Sequence, residues 1–201
     1  MSSQTKSMSE SVVANTAVSI ESSMSQRILI VVGLAVWVVL GLGANFLPAG
    51  PSQNIPFVIS SLGIIMGGPL LTVWFARRGH SIVAVGFALL ALAESMSFPG
   101  LFLLASASTF PAAYTFAAGV TLYAVALPLA SVPPAFPIWT RIAGTLAAIP
   151  FAAYGLLWLL GRSPAPSGPL ASIGYVVLTV AVVGWIITIL RSAPSPQRYL
   201  L

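Results

Sequence analysis

Long apolar runs separated by short stops dominate this chain. Six of them, over 28–47, 56–76, 81–107, 111–131, 138–160 and 169–190, reach the ~20 residues that a helix needs to cross a hydrocarbon core of about 30 Å. The stops hold Pro48 and Pro51, the tetrapeptide Arg77-Arg78-Gly79-His80, Pro133-Pro134, and Pro164, Pro166 and Gly168. They are too short to fold as soluble units of their own. The pattern predicts an all-α, polytopic integral membrane protein, a bundle of six transmembrane helices.

The flanks differ in character from the runs. Residues 1–26 are polar, with nine Ser in the first 25 positions and Lys6, Glu10 and Glu21 among them. A secretory signal peptide places a short basic stretch directly before an apolar core, which this segment does not. A disordered tail is expected, with at most a weak helix over Val12–Ile20. The chain thus divides into that tail, a membrane domain over 27–191 and a short tail over 192–201. The third run is the longest and carries Pro99-Gly100. Proline removes the hydrogen bond to the carbonyl four residues back. The helix therefore either kinks at Pro99 or ends there, with Leu101–Ala107 partly re-entrant; both leave six crossings.

Charge sets the orientation. Only 5% of the residues are charged, eight Lys or Arg against three Glu and no Asp, where soluble domains carry roughly 25%. The mean hydropathy is +1.00. The net charge of +5 is not a nucleic-acid signal, because such readers cluster their cations on one face. Here they sit at the ends of apolar runs. With a cytoplasmic N-terminus, Lys6, Arg27, Arg77, Arg78, Arg141, Arg191 and Arg198 fall inside and Arg162 outside, a strong positive-inside bias. Both termini are expected in the cytoplasm, and the bias with short loops is compatible with a bacterial inner membrane. Trp74, Trp139, Trp158 and Trp185 lie near run ends, as interfacial indoles do; Trp37 lies mid-run.

Chemistry-bearing residues are few. Glu94 is the one acidic residue inside a predicted crossing. A charge at the bilayer centre costs roughly 2.5–3.5 kcal/mol on insertion scales, so such groups face the bundle or a water-filled cavity. With Ser95 and Ser97 beside it, Glu94 forms the candidate intramembrane polar site: a proton- or cation-handling carboxyl or a polar substrate contact, against a purely structural one. Arg77 and Arg78 read as cytoplasmic anchors that can also meet anionic headgroups. Arg141 reads as a third anchor, snorkelling to the interface or pairing with Glu94. Gly67-Gly68-Pro69 in the second run and Pro150 in the fifth read as helix breaks, joined by Pro99. Paired breaks in two halves of three helices are a pointer to a transporter's midplane site. Small residues should form the inner seams: Gly63 and Gly67; Ala84, Ala88, Ala91 and Ser95; Gly144, Ala148 and Ala152.

Exclusions narrow the function. Without cysteine there are no disulfides, thiolate nucleophiles or Cys-held metals. Without Asp, aspartate-rich magnesium sites cannot be built; neither a zinc-protease HExxH nor a phosphate-binding GxxxxGK[ST] loop is present. No cofactor is implied. The bilayer is the expected partner, with other membrane subunits or a second copy possible by the small-residue faces and nucleic acid excluded. The leading expectation is a non-enzymatic accessory or assembly subunit of a membrane complex. The alternative is a small solute or ion transporter using Glu94 and the broken second and fifth helices. A lipid-modifying enzyme is a third reading, which lacks a catalytic group.

Overall fold

The computed structural model describes residues 24–48, 51–106, 110–162 and 169–192. Lys6, the expected tail as far as residue 23 with its weak helix, and Arg198 lie outside the described residues. Six helices follow in order: α1 (Met24–Ala44), α2 (Pro51–Ala76), α3 (Ser81–Ser106), α4 (Phe110–Ser131), α5 (Ile138–Leu159) and α6 (Pro169–Arg191). All six are long and apolar enough to cross a membrane, and no strand occurs among the described residues. The protein is a multi-pass membrane bundle.

Helix ends deviate from the apolar runs where local hydrogen bonding decides. α1 starts at Met24, so the last residues of the expected tail are helical. α2 begins at Pro51, a residue pre-set for the first helical turn, and α3 continues through Pro99 to Ser106 instead of ending there. Two turns are closed by glycines in the left-handed region, Gly79 at φ 79° and Gly161 at φ 73°. In the first, the His80 amide reaches the Phe75 carbonyl and the Gly79 amide that of Ala76; in the second, Arg162 bonds to Leu157 and Gly161 to Trp158. This is the Schellman pattern, which satisfies orphaned carbonyls at a helix end and lets the chain reverse at once.

Consecutive helices pack against each other, most extensively α3 with α4. The Nη2 of Arg27 donates to the Ile189 carbonyl at 3.2 Å, which brings the start of α1 to the end of α6. The first and last helices therefore share one end of the bundle, together with Arg77, Arg78 and Arg141. That cation-rich end is filled by rings from four elements. Phe75 of α2 stacks on Phe87 of α3 at 5.3 Å, Trp185 of α6 meets Phe87 edge-on at 4.9 Å, and Phe136 from the α4–α5 connection lies 5.3 Å from Phe75. Trp185 is completely buried, so it is a core ring and not the interfacial anchor its position near a run end predicts.

The seams run partly where small residues predict. Gly63 of α2 faces Gly33 of α1 so closely that a Cβ on Gly63 would stand 2.5 Å from the Gly33 carbonyl oxygen, and one on Gly33 would stand 2.7 Å from that of Gly63. Close backbone approach of this kind is what holds helices together in lipid, where apolar burial gives no preference for a neighbour over a lipid tail. On α3, Ala84 and Ala91 are buried, whereas Ala88 and Ser95 are exposed; on α5, Gly144 and Ala148 are buried and Ala152 is exposed. At 100° per residue, the α3 row runs along the border of the buried arc, with two members just inside it and two just outside.

Gly63→Ala should force α1 and α2 apart and lower stability by about 1–3 kcal/mol, the usual cost of overpacking. Gly43→Ala, where nothing lies within 4 Å of the added carbon, should leave stability unchanged. Unfolding of the two variants in mild detergent measures the difference.

Candidate functional site: an intramembrane carboxyl and its cavity

Glu94 lies 13 residues beyond the start of α3 at Ser81, about 20 Å from the cation-rich end at 1.5 Å per residue. That is near the middle of the helix. The residue is 6% exposed. Ser61, on the buried face of α2, lies at a matching depth and donates its hydroxyl hydrogen to Oε1 of Glu94. The neighbouring Ser60 hydroxyl donates to the Trp37 carbonyl of α1 at 2.7 Å. Oε2 of Glu94 is buried and has no hydrogen-bond partner among the described residues.

Glu94 is one of the residues lining a cavity of about 30 Å³, room for one or two water-sized particles. Four helices wall it. α1 contributes Trp37 and Gly41, α2 contributes Ser60 and Ser61, α3 contributes Glu94, and α6 contributes Tyr175 and Thr179. The floor is buried, at Trp37, Ser60, Ser61 and Glu94, while Gly41, Tyr175 and Thr179 at the rim are half-buried. The Thr179 hydroxyl donates to the Tyr175 carbonyl one turn earlier at 2.9 Å. Gly41 matters to this wall, because a Cβ there would stand 2.7 Å from the Ser60 hydroxyl oxygen.

The serines that neighbour Glu94 in sequence do not join it. Ser95 is exposed and bonds back to the Ala91 carbonyl at 2.8 Å; Ser97 bonds back to Ala93 at 2.9 Å and lies against Gly119 of α4. The partners come from α2 instead. Arg141, half-buried at the start of α5, is not paired with Glu94, whose hydrogen-bond partner is Ser61. Arg78 lies with its guanidinium carbon 3.6 Å over the Trp74 ring and donates to the Trp74 carbonyl at 3.3 Å. Burial, and then the nearby Arg27, hold its pKa below the ordinary arginine value. Arg77 is exposed.

Neither expected helix break interrupts its helix. α2 runs through Gly67-Gly68-Pro69 and α5 through Pro150. The glycine pair serves packing: Gly67 faces Gly33 of α1, while a Cβ on Gly68 would stand 2.6 Å from that of Ala91 on α3. Proline is tolerated inside membrane helices because neighbours and local adjustments satisfy the freed carbonyl.

Family models, curated proteins and solved structures give no match to this chain. The site therefore carries the functional argument. Among the described residues no three His, Cys, Asp or Glu side chains converge to hold a metal ion, so the chemistry available is that of one carboxyl among hydroxyls. Ser60, Ser61, Thr179 and Gly41 escape the sequence reading. The adjacent hydroxyl pair Ser60-Ser61 in the middle of an apolar run was the signal that pointed to α2.

Because Ser61 donates to the carboxyl, Ser61→Ala and Glu94→Leu, which has no acceptor, should not be additive. A double-mutant cycle on unfolding in detergent is expected to give a coupling of roughly 0.6–1.7 kcal/mol, the range for polar contacts between membrane helices. Ser97→Ala paired with Glu94→Leu should give additive losses.

Proposed function

We propose that this chain is a small membrane transporter in which Glu94 is the exchangeable site, taking up and releasing a positive charge near the membrane midplane. The observation that carries this reading is a buried carboxyl, hydrogen-bonded through Oε1 alone among the described residues, on a residue that lines a water-sized cavity. A purely structural carboxyl is expected to have both oxygens hydrogen-bonded, because each unmet buried acceptor costs about 1–3 kcal/mol. An intramembrane carboxyl that is only half-bonded and faces a cavity is the arrangement ion pathways and proton relays use. The half-buried Gly41, Tyr175 and Thr179 leave the cavity less enclosed on the α1 and α6 side. The cavity draws on α1, α2, α3 and α6; α5 and Pro150 contribute nothing to it.

The accessory-subunit reading keeps one observation in its favour. Ala88 and Ser95 leave a small-residue strip of α3 outside the bundle, a surface suited to another helix. One experiment separates the two. Purified protein in sealed vesicles should carry protons down an imposed pH gradient, and Glu94→Gln, which keeps the side-chain shape, should bring the rate to that of protein-free vesicles. Equal flux in wild type and variant would remove Glu94 from the mechanism. No flux in either would leave the subunit reading.

The orientation is part of the proposal: the arginine-rich end in the cytoplasm, in keeping with a bacterial inner membrane. The chain has no cysteine, so single cysteines report without background. With an impermeant maleimide on intact cells, Leu160→Cys should label directly and His80→Cys only after permeabilisation.

A further inference from the structure

From the donor and acceptor arrangement around Glu94 we infer that the cavity binds a monovalent cation with little or no water shell, which competes with the proton for the carboxyl; Ser60 and Thr179 are its further oxygen ligands. This deepens the proposed function and rests on Glu94 being an exchangeable site.

A serine or threonine hydroxyl has one hydrogen to donate and two lone pairs to accept with. Ser61 spends its hydrogen on Oε1 of Glu94, Ser60 on the Trp37 carbonyl and Thr179 on the Tyr175 carbonyl. With the carboxyl ionised, Glu94, Ser60, Ser61 and Thr179 have only lone pairs left to offer the cavity they line, and the donors in its wall are the Tyr175 hydroxyl and the Trp37 indole. Four such acceptors, one of them a carboxylate, suit a hard cation better than an anion.

Charge and size narrow the class. One carboxylate neutralises one positive charge, and no second acidic side chain lines the cavity. A divalent ion would keep a net charge in a low-dielectric site, at a large desolvation cost. A cavity of about 30 Å³ admits a particle the size of water, which includes sodium, potassium and ammonium and excludes a quaternary amine. The titratable group that shares the cavity with Glu94 is Tyr175 on α6, and Tyr154 on α5 lies near Tyr175; α1 and α2 bring none to the cavity wall. In the exchange the carboxyl O–H breaks, its proton leaves to water, and the cation takes the vacated oxygen.

Equilibrium binding of radioactive sodium to the purified full chain in zwitterionic nanodiscs tests this at mildly alkaline pH. One saturable site per chain is expected, displaced by potassium, ammonium and acid but not by choline. Glu94→Gln should abolish it. Ser60→Ala and Thr179→Val should each weaken it by at least about tenfold, the lower range for losing a group that supports a bound metal, while Ser97→Ala leaves it unchanged. No saturable binding, stronger competition by calcium than by potassium, or full binding in Glu94→Gln would overturn the inference. The vesicle flux separates this failure from that of the transporter reading. Proton movement that depends on Glu94 without sodium binding leaves a proton-only carrier; sodium binding without flux leaves the cation site standing on a protein that does not transport.

Discussion

Lipid offers no hydrogen bonds, and that constraint organises the rest of this molecule. A backbone amide or a hydroxyl without a partner inside the protein carries a cost, and among the described residues only the hydroxyls of Tyr123, Ser131 and Thr140 are buried without one. Most hydroxyls here find one at no cost to their neighbours, by bonding to the carbonyl one turn back: Thr72 to Gly68, Thr121 to Ala117, Thr188 to Gly184. Ser60 and Ser61 depart from that habit and commit their hydrogens to α1 and α3. Magnitudes decide what the departure means. A cross-helix polar contact stabilises by only about 0.6 kcal/mol on average, whereas a charged carboxyl at this depth costs roughly 2.5–3.5 kcal/mol. The Ser61 contact does not offset an ionised carboxyl at this depth.

The same constraint explains how the helices meet and where the cavity can lie. Association comes from backbone approach at glycines, and bulky rings fill the space that remains. Phe75, Phe87, Phe136 and Trp185 pack together at the cation-rich end. Phe87 lies seven residues before Glu94 on the same helix, about 10 Å nearer that end. The ring cluster therefore stands between the arginines and the cavity, and the half-buried rim lies beside α1, the least enclosed of the six helices. Positive charge at the end of the bundle and negative charge at its middle are held apart by a dry aromatic layer.

The helices were legible in the sequence because crossing a bilayer demands a length of apolar residues, and that length is written directly. Their faces were not. In a soluble helix the buried side is the apolar side, but here both sides are apolar: Val83 and Leu90 of α3 are buried, and Val85 and Leu92 are exposed. Nothing in residue type marks the seam, which is why Ala88 and Ser95 fall outside it. Glu94 was legible for the opposite reason, since one carboxyl in so apolar a run has few explanations. Its partner was not, because Ser61 is 33 residues away and reaches it only through the packing of α2. Ser95 and Ser97, adjacent in sequence, are turned elsewhere by the 100° step of the helix. The Gly67-Gly68-Pro69 segment misled for a related reason: glycine that loosens a helix and glycine that admits a neighbour look the same in one dimension.

Gly41 ties these threads together. A side chain there would collide with the Ser60 hydroxyl, so the missing Cβ is what allows Ser60 to reach the carbonyl of Trp37, one turn earlier on the same helix. α1 is thus fixed to α2 at two levels, by the Gly33–Gly63 contact and by the Ser60–Trp37 bond, and to α6 at its end through Arg27. The upper of the two α2 contacts is also a wall of the cavity. Displacing α1 at that level opens the Ser60 bond, frees a donor and changes the surroundings of Glu94 in one step. The packing of α1 and the polar character of the site are therefore not separable: the same two residues, Gly41 and Ser60, set both.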